Sequence, residues 1–260
     1  MTAAATYHRD DAIGVITLDR PDNRNSMTPE LLEAFGHASA AARSDAGARC
    51  VIITGKGNCF SAGADLKSNV QLDGPSTTAY QRSYAMYESF LTVLDIEVPV
   101  IGALNGHAVG GGFGLALVCD IRIANRDAKY GANFTRLGLT PGMAISYILP
   151  RVVGVARAAE LLLSARLITG ERAAEIGLVS EAVEPNAVLE RSLAVATEIA
   201  SNGPLAVRAT KRVLYANAGW DPRQAALREA FVQAEILDTE DSKEGMAALL
   251  EKRLPNFQSS

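Results

Sequence analysis

Four short apolar runs stand out along the chain: Gly14-Val15-Ile16-Thr17-Leu18, Cys50-Val51-Ile52-Ile53-Thr54, Val100-Ile101-Gly102-Ala103-Leu104 and Ile121-Arg122-Ile123-Ala124. The second and third are continuously apolar rather than alternating, the pattern of strands covered on both faces in a parallel sheet. Between them lie segments with helical period. Thr28 is placed to cap a helix with Pro29 at its first position, and Leu31, Leu32, Phe35 and Ala38 make its apolar stripe. Tyr80, Tyr84, Tyr87, Leu91 and Leu94 recur at the spacing of a long amphipathic helix, whose stripe predicts a core-facing side, before Pro99 opens the next strand.

Strand and helix therefore alternate, which defines an α/β class with βαβ-type crossovers. The texture changes near residue 150. From Arg151 onward the chain is rich in Ala, Leu, Arg and Glu, with predicted helices over 155–164, 171–176, 185–201, 203–217, 222–238 and 242–253, punctuated by Gly170, Gly177, Gly203 and Gly219. The simplest division is an α/β core followed by a helical extension. The penultimate helix carries Leu227, Phe231, Ala234 and Leu237 on one stripe, which has to pack on its own core or on another subunit.

Composition narrows the class. The 260 residues are 48% hydrophobic and 21% charged, which excludes a disordered chain. No apolar run approaches the ~18 residues of a membrane helix. The start lacks a basic, then apolar, leader, and Gln258-Ser259-Ser260 is not a peroxisomal address, so a cytoplasmic location is expected. The net charge of −4, with scattered arginines and no basic run, argues against nucleic acid as a partner. Cys50, Cys59 and Cys119 have no CxxC spacing and read as free thiols; His8, His37 and His107 have no metal-ligand spacing. These features point to an enzyme or ligand binder rather than a scaffold.

Two glycine-containing turns follow buried strands. One is Gly55-Lys56-Gly57-Asn58-Cys59-Phe60-Ser61-Ala62-Gly63-Ala64-Asp65-Leu66; the other is Asn105-Gly106-His107-Ala108-Val109-Gly110-Gly111-Gly112-Phe113-Gly114, which runs into Leu115 to Cys119. Neither has the spacing of a P-loop or a dinucleotide fingerprint, and no GxSxG elbow is present. Glycine at such places lets a ligand reach the backbone, and free N–H groups at a helix start hold an anion or a developing oxyanion. Tight strand–helix packing is the alternative reading of each turn taken alone.

Taken together, the turns resemble the crotonase superfamily, the enoyl-CoA hydratase/isomerase family. The resemblance runs through Leu18-Asp19-Arg20-Pro21 with Asn25, Phe60 to Lys67, Pro99, Asn105-Gly106, Gly110-Gly111-Gly112, Cys119-Asp120, Leu137-Gly138, Arg151-Val152-Val153-Gly154, Ala174 to Val179 and Glu244-Gly245. It implies a crotonase-like spiral of ββα units spanning residues 1–200, and a C-terminal helical trimerisation region over 201–260. A homotrimer or hexamer follows from the same resemblance. The implied ligand is an acyl-CoA thioester, with coenzyme A as part of the substrate and no separate cofactor or metal. Its carbonyl oxygen would be received by the backbone N–H groups of Ala64 and Gly111. Ala62, Ala64, Asp65, Leu66, Lys67 and Gly111 match the substrate-binding loops. Lys252 matches a CoA-contacting lysine and Leu249 its apolar companion, a solvated helix position being the alternative for Lys252.

The departures matter as much. The hydratases place one glutamate two residues beyond the glycine triplet, here Gly114, and a second three residues after the aromatic-Gly pair, here Phe134. A hydratase needs one carboxyl group to orient water and another to deliver the proton. The segment Leu137 to Met143 contains no carboxylate, and the place of a nucleophilic aspartate falls on Gly142. Asp65 reads as a brace, Glu88 as a solvated residue, His107 as packed, Tyr80, Tyr84 and Tyr87 as core or acyl-pocket lining, and Asp120 as a buried brace. Two functions stay open: an enzyme that stabilises a thioester enolate with non-standard acid/base groups, and a non-catalytic acyl-CoA carrier or sensor.

Overall fold

The computed structural model describes residues 3–65, 78–216, 219 and 221–260. Strands β1 (Ala5–Asp10) and β2 (Ile13–Leu18) form an antiparallel hairpin, turned at Asp11 with φ of 49°. Helix α1 (Pro29–Ser44) follows, with the Thr28 hydroxyl accepting from Leu31 N at 3.2 Å and Leu31, Leu32, Phe35, Ala38 and Ala42 buried. This cap and stripe are those expected from the sequence.

Next come β3 (Cys50–Gly55), β4 (Cys59–Ser61) and α2 (Ala79–Leu91); β5 (Val100–Leu104), β6 (His107–Val109) and α3 (Gly111–Val118); β7 (Ile121–Asn125), β8 (Lys129–Gly131) and α4 (Ile145–Val153). Each group is a long strand, a short strand and a helix. The long strands lie parallel in a six-stranded sheet of order β1-β2-β3-β5-β7-β10, where β10 is Glu181–Val183. The short ones lie parallel in a second sheet, β4-β6-β8, closed by the antiparallel two-residue β9 (Ile168–Thr169). This repeating ββα path is the crotonase-like spiral. The three-residue strands are too short to show a period of two, which is why sequence patterning leaves them unseen.

The continuous apolar runs are covered on both faces. Val51, Ile53, Val100 and Leu104 enter the main core with α1, whereas Cys50, Ile52, Ile101, Ala103 and Ile123 meet Val188 and Ala196 of α7 (Val188–Ala200) on the opposite face. Burial raises the Cys50 and Cys119 thiols to about 12, so both are protonated across the neutral range.

Two expectations need correction. Helix α2 begins with a Thr78–Gln81 capping box, but Tyr80 is 73% and Tyr84 48% exposed. The core face is instead Met86, Tyr87, Phe90 and Leu91, because the Phe90 ring meets Phe35 of α1 edge-on at 4.9 Å. Leu94, on a following 3-10 turn, also faces outward. The second correction is α4, which begins before the expected helical region and holds Pro150 within it; Gly154, at φ of 81°, separates it from α5 (Val155–Ser164).

The later helices are α6 (Gly170–Glu175), α8 (Pro204–Ala216), α9 (Pro222–Leu237) and α10 (Glu240–Glu251). Lys211 of α8 donates to the carbonyls of Ile96 and Val98 at 2.8 and 2.9 Å and pairs with Asp120 at 2.8 Å. Asp120 also accepts from Tyr215 O–H at 2.6 Å and from Val100 N at 2.7 Å, so it is the expected brace, locking α8 to the core. Leu227, Phe231 and Leu237 of α9 are exposed, so that stripe does not pack on the chain's own core. No helix among the described residues is long and apolar enough to cross a membrane.

Candidate functional site

Two asparagines hold the first glycine turn. Asn25, fully buried, donates to the carbonyls of Lys56 (3.1 Å) and Cys59 (2.8 Å) and accepts from Arg20 N at 2.8 Å. Asn105 accepts from Gly55 N at 3.0 Å and donates to Gly57 O at 2.9 Å. Each side chain replaces backbone pairing that a turn cannot supply, so the path from β3 to β4 is fixed. Beyond β4, Ala62 N donates to Arg24 O at 3.0 Å and Met27 N to Gly63 O at 2.8 Å.

Residues Met27 and Ala64 form an isolated parallel bridge. In that pattern the residues flanking Ala64 bond toward Met27, so the Ala64 N–H points away from it. Gly63 takes φ of 81° to make this turn. A Cβ there would stand 2.6 Å from Val109 O and 2.9 Å from Gly111 N, so only glycine lets the two turns close on each other. Gly111 is the first residue of α3, where N–H groups have no intrahelical acceptor. Among the described residues neither the Ala64 nor the Gly111 N–H donates to a protein acceptor. Two amides, far apart in sequence, thus come together at a helix start.

On the far side of Gly111 the chain is closed by side chains. A Cβ on Gly114 would collide with Met143 Cβ and stand 3.0 Å from Met143 Cγ. Met143 is fully buried at φ of 57°. The space a Gly114 side chain would need is therefore taken by Met143. A Cβ on Gly142 would collide with the end of the Tyr87 ring, with Cε1 at 2.9 Å. Phe134 opens a 3-10 turn, half-buried and packed on the main core. These positions present no carboxylate.

The structure brings the Ala62–Ala64 turn against Gly111 through Gly63, with Gly114 following within α3. Asp65 follows, half-buried. Leu66 and Lys67 lie outside the described residues. Lys252 is exposed at the C-terminal cap of α10, an element that packs on α9, with its own N–H bonded to Leu249 O at 3.3 Å. Glu88 is exposed, as expected for a solvated face. His107 is exposed rather than packed, its Nδ1 accepting from Lys129 N at 2.9 Å, a link that aligns β6 with β8. Sequence reasoning did not single out Met27, whose sulfur lies where a Gly111 Cβ would be, or Met143 as the residue facing Gly114. Neither has a local signal, since both contacts exist only after folding.

Comparison with known proteins agrees with this architecture. The Enoyl-CoA hydratase/isomerase family pattern matches residues 8–260. The chain is 36% identical over 256 residues to the crotonyl-CoA hydratase of Syntrophomonas wolfei, covering 96% of each protein. It is 34% identical over 250 residues to the (E)-benzylidenesuccinyl-CoA hydratase of Thauera aromatica, covering 95% of this chain and 96% of the other. The crystal structure of enoyl-CoA hydratase from Bacillus anthracis superimposes with a TM-score of 0.93 at 33% identity, over 99% of this chain and 100% of that one. The chain belongs to the enoyl-CoA hydratase/isomerase family.

Proposed function

We propose that the chain binds an acyl-CoA thioester with the carbonyl oxygen between the N–H groups of Ala64 and Gly111. The observation that carries this reading is the closure of the two turns at Gly63, with Gly111 N only 2.9 Å from where a Gly63 Cβ would lie. Two aimed amides stabilise the charge that develops when a thioester becomes an enolate. The names of the two relatives, both hydratases of CoA thioesters, support the ligand class. Hydration itself is not the proposed reaction, because Gly114 and Phe134 supply neither of the two carboxyl groups it requires. Asp65, Leu66, Lys67 and Lys252 are proposed to contact the CoA portion.

Calorimetry with butyryl-CoA, free CoA and an unrelated nucleotide tests the reading. Butyryl-CoA should bind more tightly than either of the others; binding of the nucleotide alone would refute it. Ala64→Pro removes one donor and should cost any turnover about 3 kcal/mol. A second reading, an acyl-CoA carrier or sensor, is favoured by the Met143 packing into Gly114. Exchange of the thioester α-protons in deuterated water separates the two: an enolate-stabilising enzyme accelerates it, and a carrier does not.

The exposed apolar residues of α9 and α10, among them Leu227, Phe231, Leu249 and Leu250, support a homotrimer or hexamer with these helices at the contacts. Light scattering at micromolar concentration should give a multiple of three chains, and a monomer would refute the assembly.

A further inference from the structure

The glycines at 114 and 142 leave hollows, and each hollow holds a neutral side chain: Met143 in one, the hydroxyl end of Tyr87 in the other. The two pairs are contiguous, because Gly142 and Met143 are neighbours in the chain. Gly114 lies three residues along α3 from Gly111, about 5 Å of helix rise. Tyr87, from α2, thus stands against Gly142, the chain neighbour of the residue that faces Gly114.

Its hydroxyl differs from those of the other tyrosines that are not simply solvent-exposed. Tyr7 donates to Asp45 at 2.9 Å, and Tyr215 donates to Asp120 at 2.6 Å. Tyr130 O–H lies 3.2 Å from Leu104 O and 3.0 Å from Asn125 O. Tyr87 is half-buried and packed on the main core, yet among the described residues its hydroxyl has no protein partner. A phenol whose ring is packed and whose hydroxyl has no protein partner is free to bond a ligand.

We infer that Tyr87 is a specificity-determining residue, whose hydroxyl donates to an oxygen on C3 of the acyl group, so that the site takes a 3-oxoacyl thioester in its enolate form. The inference rests on the thioester reading above. Its chemical basis is the donor set. Two amides and one phenol are neutral donors, and Gly114, Phe134 and Gly142 bring no carboxylate beside them. That set suits a delocalised anion with two oxygens. The α-carbon between two carbonyls loses its proton without a strong protein base. Hydroxide from solvent takes the proton as water, the C–H electron pair spreads over the C1 and C3 oxygens, and no oxidant or reductant is needed. Ala64 and Gly111 hold the first oxygen and Tyr87 the second.

The test compares acetoacetyl-CoA with butyryl-CoA, by calorimetry and by the near-ultraviolet absorbance of the enolate at fixed pH. The wild-type protein should bind acetoacetyl-CoA about tenfold more tightly than butyryl-CoA and raise the enolate band, because a site built to hydrogen-bond an oxygen discriminates against the analogue lacking it. Tyr87→Phe keeps the ring on Gly142 and should bring the ratio close to one, by weakening acetoacetyl-CoA about tenfold relative to butyryl-CoA. Gly142→Ala displaces the hydroxyl with Tyr87 intact and should also lower the ratio. A wild-type ratio of one, or a ratio unmoved in Tyr87→Phe, would overturn the assignment of Tyr87 alone. Failure of both thioesters to bind would overturn the thioester reading as well.

Discussion

At Gly63 and Gly112 the missing Cβ lets one stretch of backbone come against another; at Gly114 and Gly142 it makes room for a side chain. The first pair lies where the turns carrying Ala64 and Gly111 meet. A Cβ on Gly112 would collide with Ser61 O and stand 2.7 Å from Ser61 C, and one on Gly63 would press on Val109 O and Gly111 N. At the second pair, Met143 and Tyr87 fill the spaces. Glycine in a sequence reads identically in both settings. The difference is sharpest between Gly112 and Gly142, since a backbone held by β4 and β6 cannot shift, whereas the end of the Tyr87 ring can; at Gly114 the neighbour is the Met143 Cβ, which moves only with its backbone.

The largest expected effect follows directly. Gly112→Ala drives a methyl group into the Ser61 peptide, and it should prevent recovery of folded protein or lower the melting temperature by roughly 10 °C or more, as for ~3 kcal/mol and above in a chain of this size. Gly142→Ala meets only the half-buried Tyr87 ring, and its cost should stay near 1 kcal/mol. Thermal unfolding of the two variants side by side would break the comparison if their losses matched.

The next effect concerns rate. Gly114→Glu with Phe134→Glu restores both carboxyl positions in sequence, yet the new glutamate at 114 collides with Met143. The double variant should therefore remain inert. Adding Met143→Gly removes the colliding Cβ at a position already at φ of 57°, and hydration of crotonyl-CoA, followed by loss of enoyl thioester absorbance, should rise ~10²–10⁴-fold per working acid or base. Fast hydration by the unchanged protein would show that the acid and base lie elsewhere.

A smaller effect separates two tyrosines. Tyr130 lies between the carbonyls of Leu104 and Asn125, and burial holds its hydroxyl well above the usual tyrosine range. Tyr130→Phe removes both bonds, leaving Asn125 O with Ala128 N at 3.3 Å, and should cost about 1–3 kcal/mol in denaturant unfolding. Tyr87→Phe breaks no protein hydrogen bond among the described residues and should change stability by less than ~0.5 kcal/mol. A large loss at Tyr87 would mean that its hydroxyl serves the fold rather than a ligand.

Much of the fold was legible because its signals are local. The runs at Cys50–Gly55 and Val100–Leu104 are apolar on both faces, so they had to lie inside a sheet covered twice, and α1 and α7 are the covers. Thr28 and Pro29 marked a helix start wherever that helix came to rest. The tyrosine stripe on α2 misled because periodicity gives a face but not its strength, and the single Phe90–Phe35 contact turned the helix toward its neighbour.

By itself, the sequence determined the α/β class, the membership implied by the order of its motifs, the two glycine turns, and a glycine and a phenylalanine at positions 114 and 134. Those are properties of residue types and short spacings. Only the tertiary structure decided that the turns meet at Gly63, that Met27 backs Gly111, and that Met143 and Tyr87 occupy the glycine hollows. Such contacts join segments remote in sequence, and packing selects them by shape after the ββα path has wound the chain. Nothing local at either partner encodes the other.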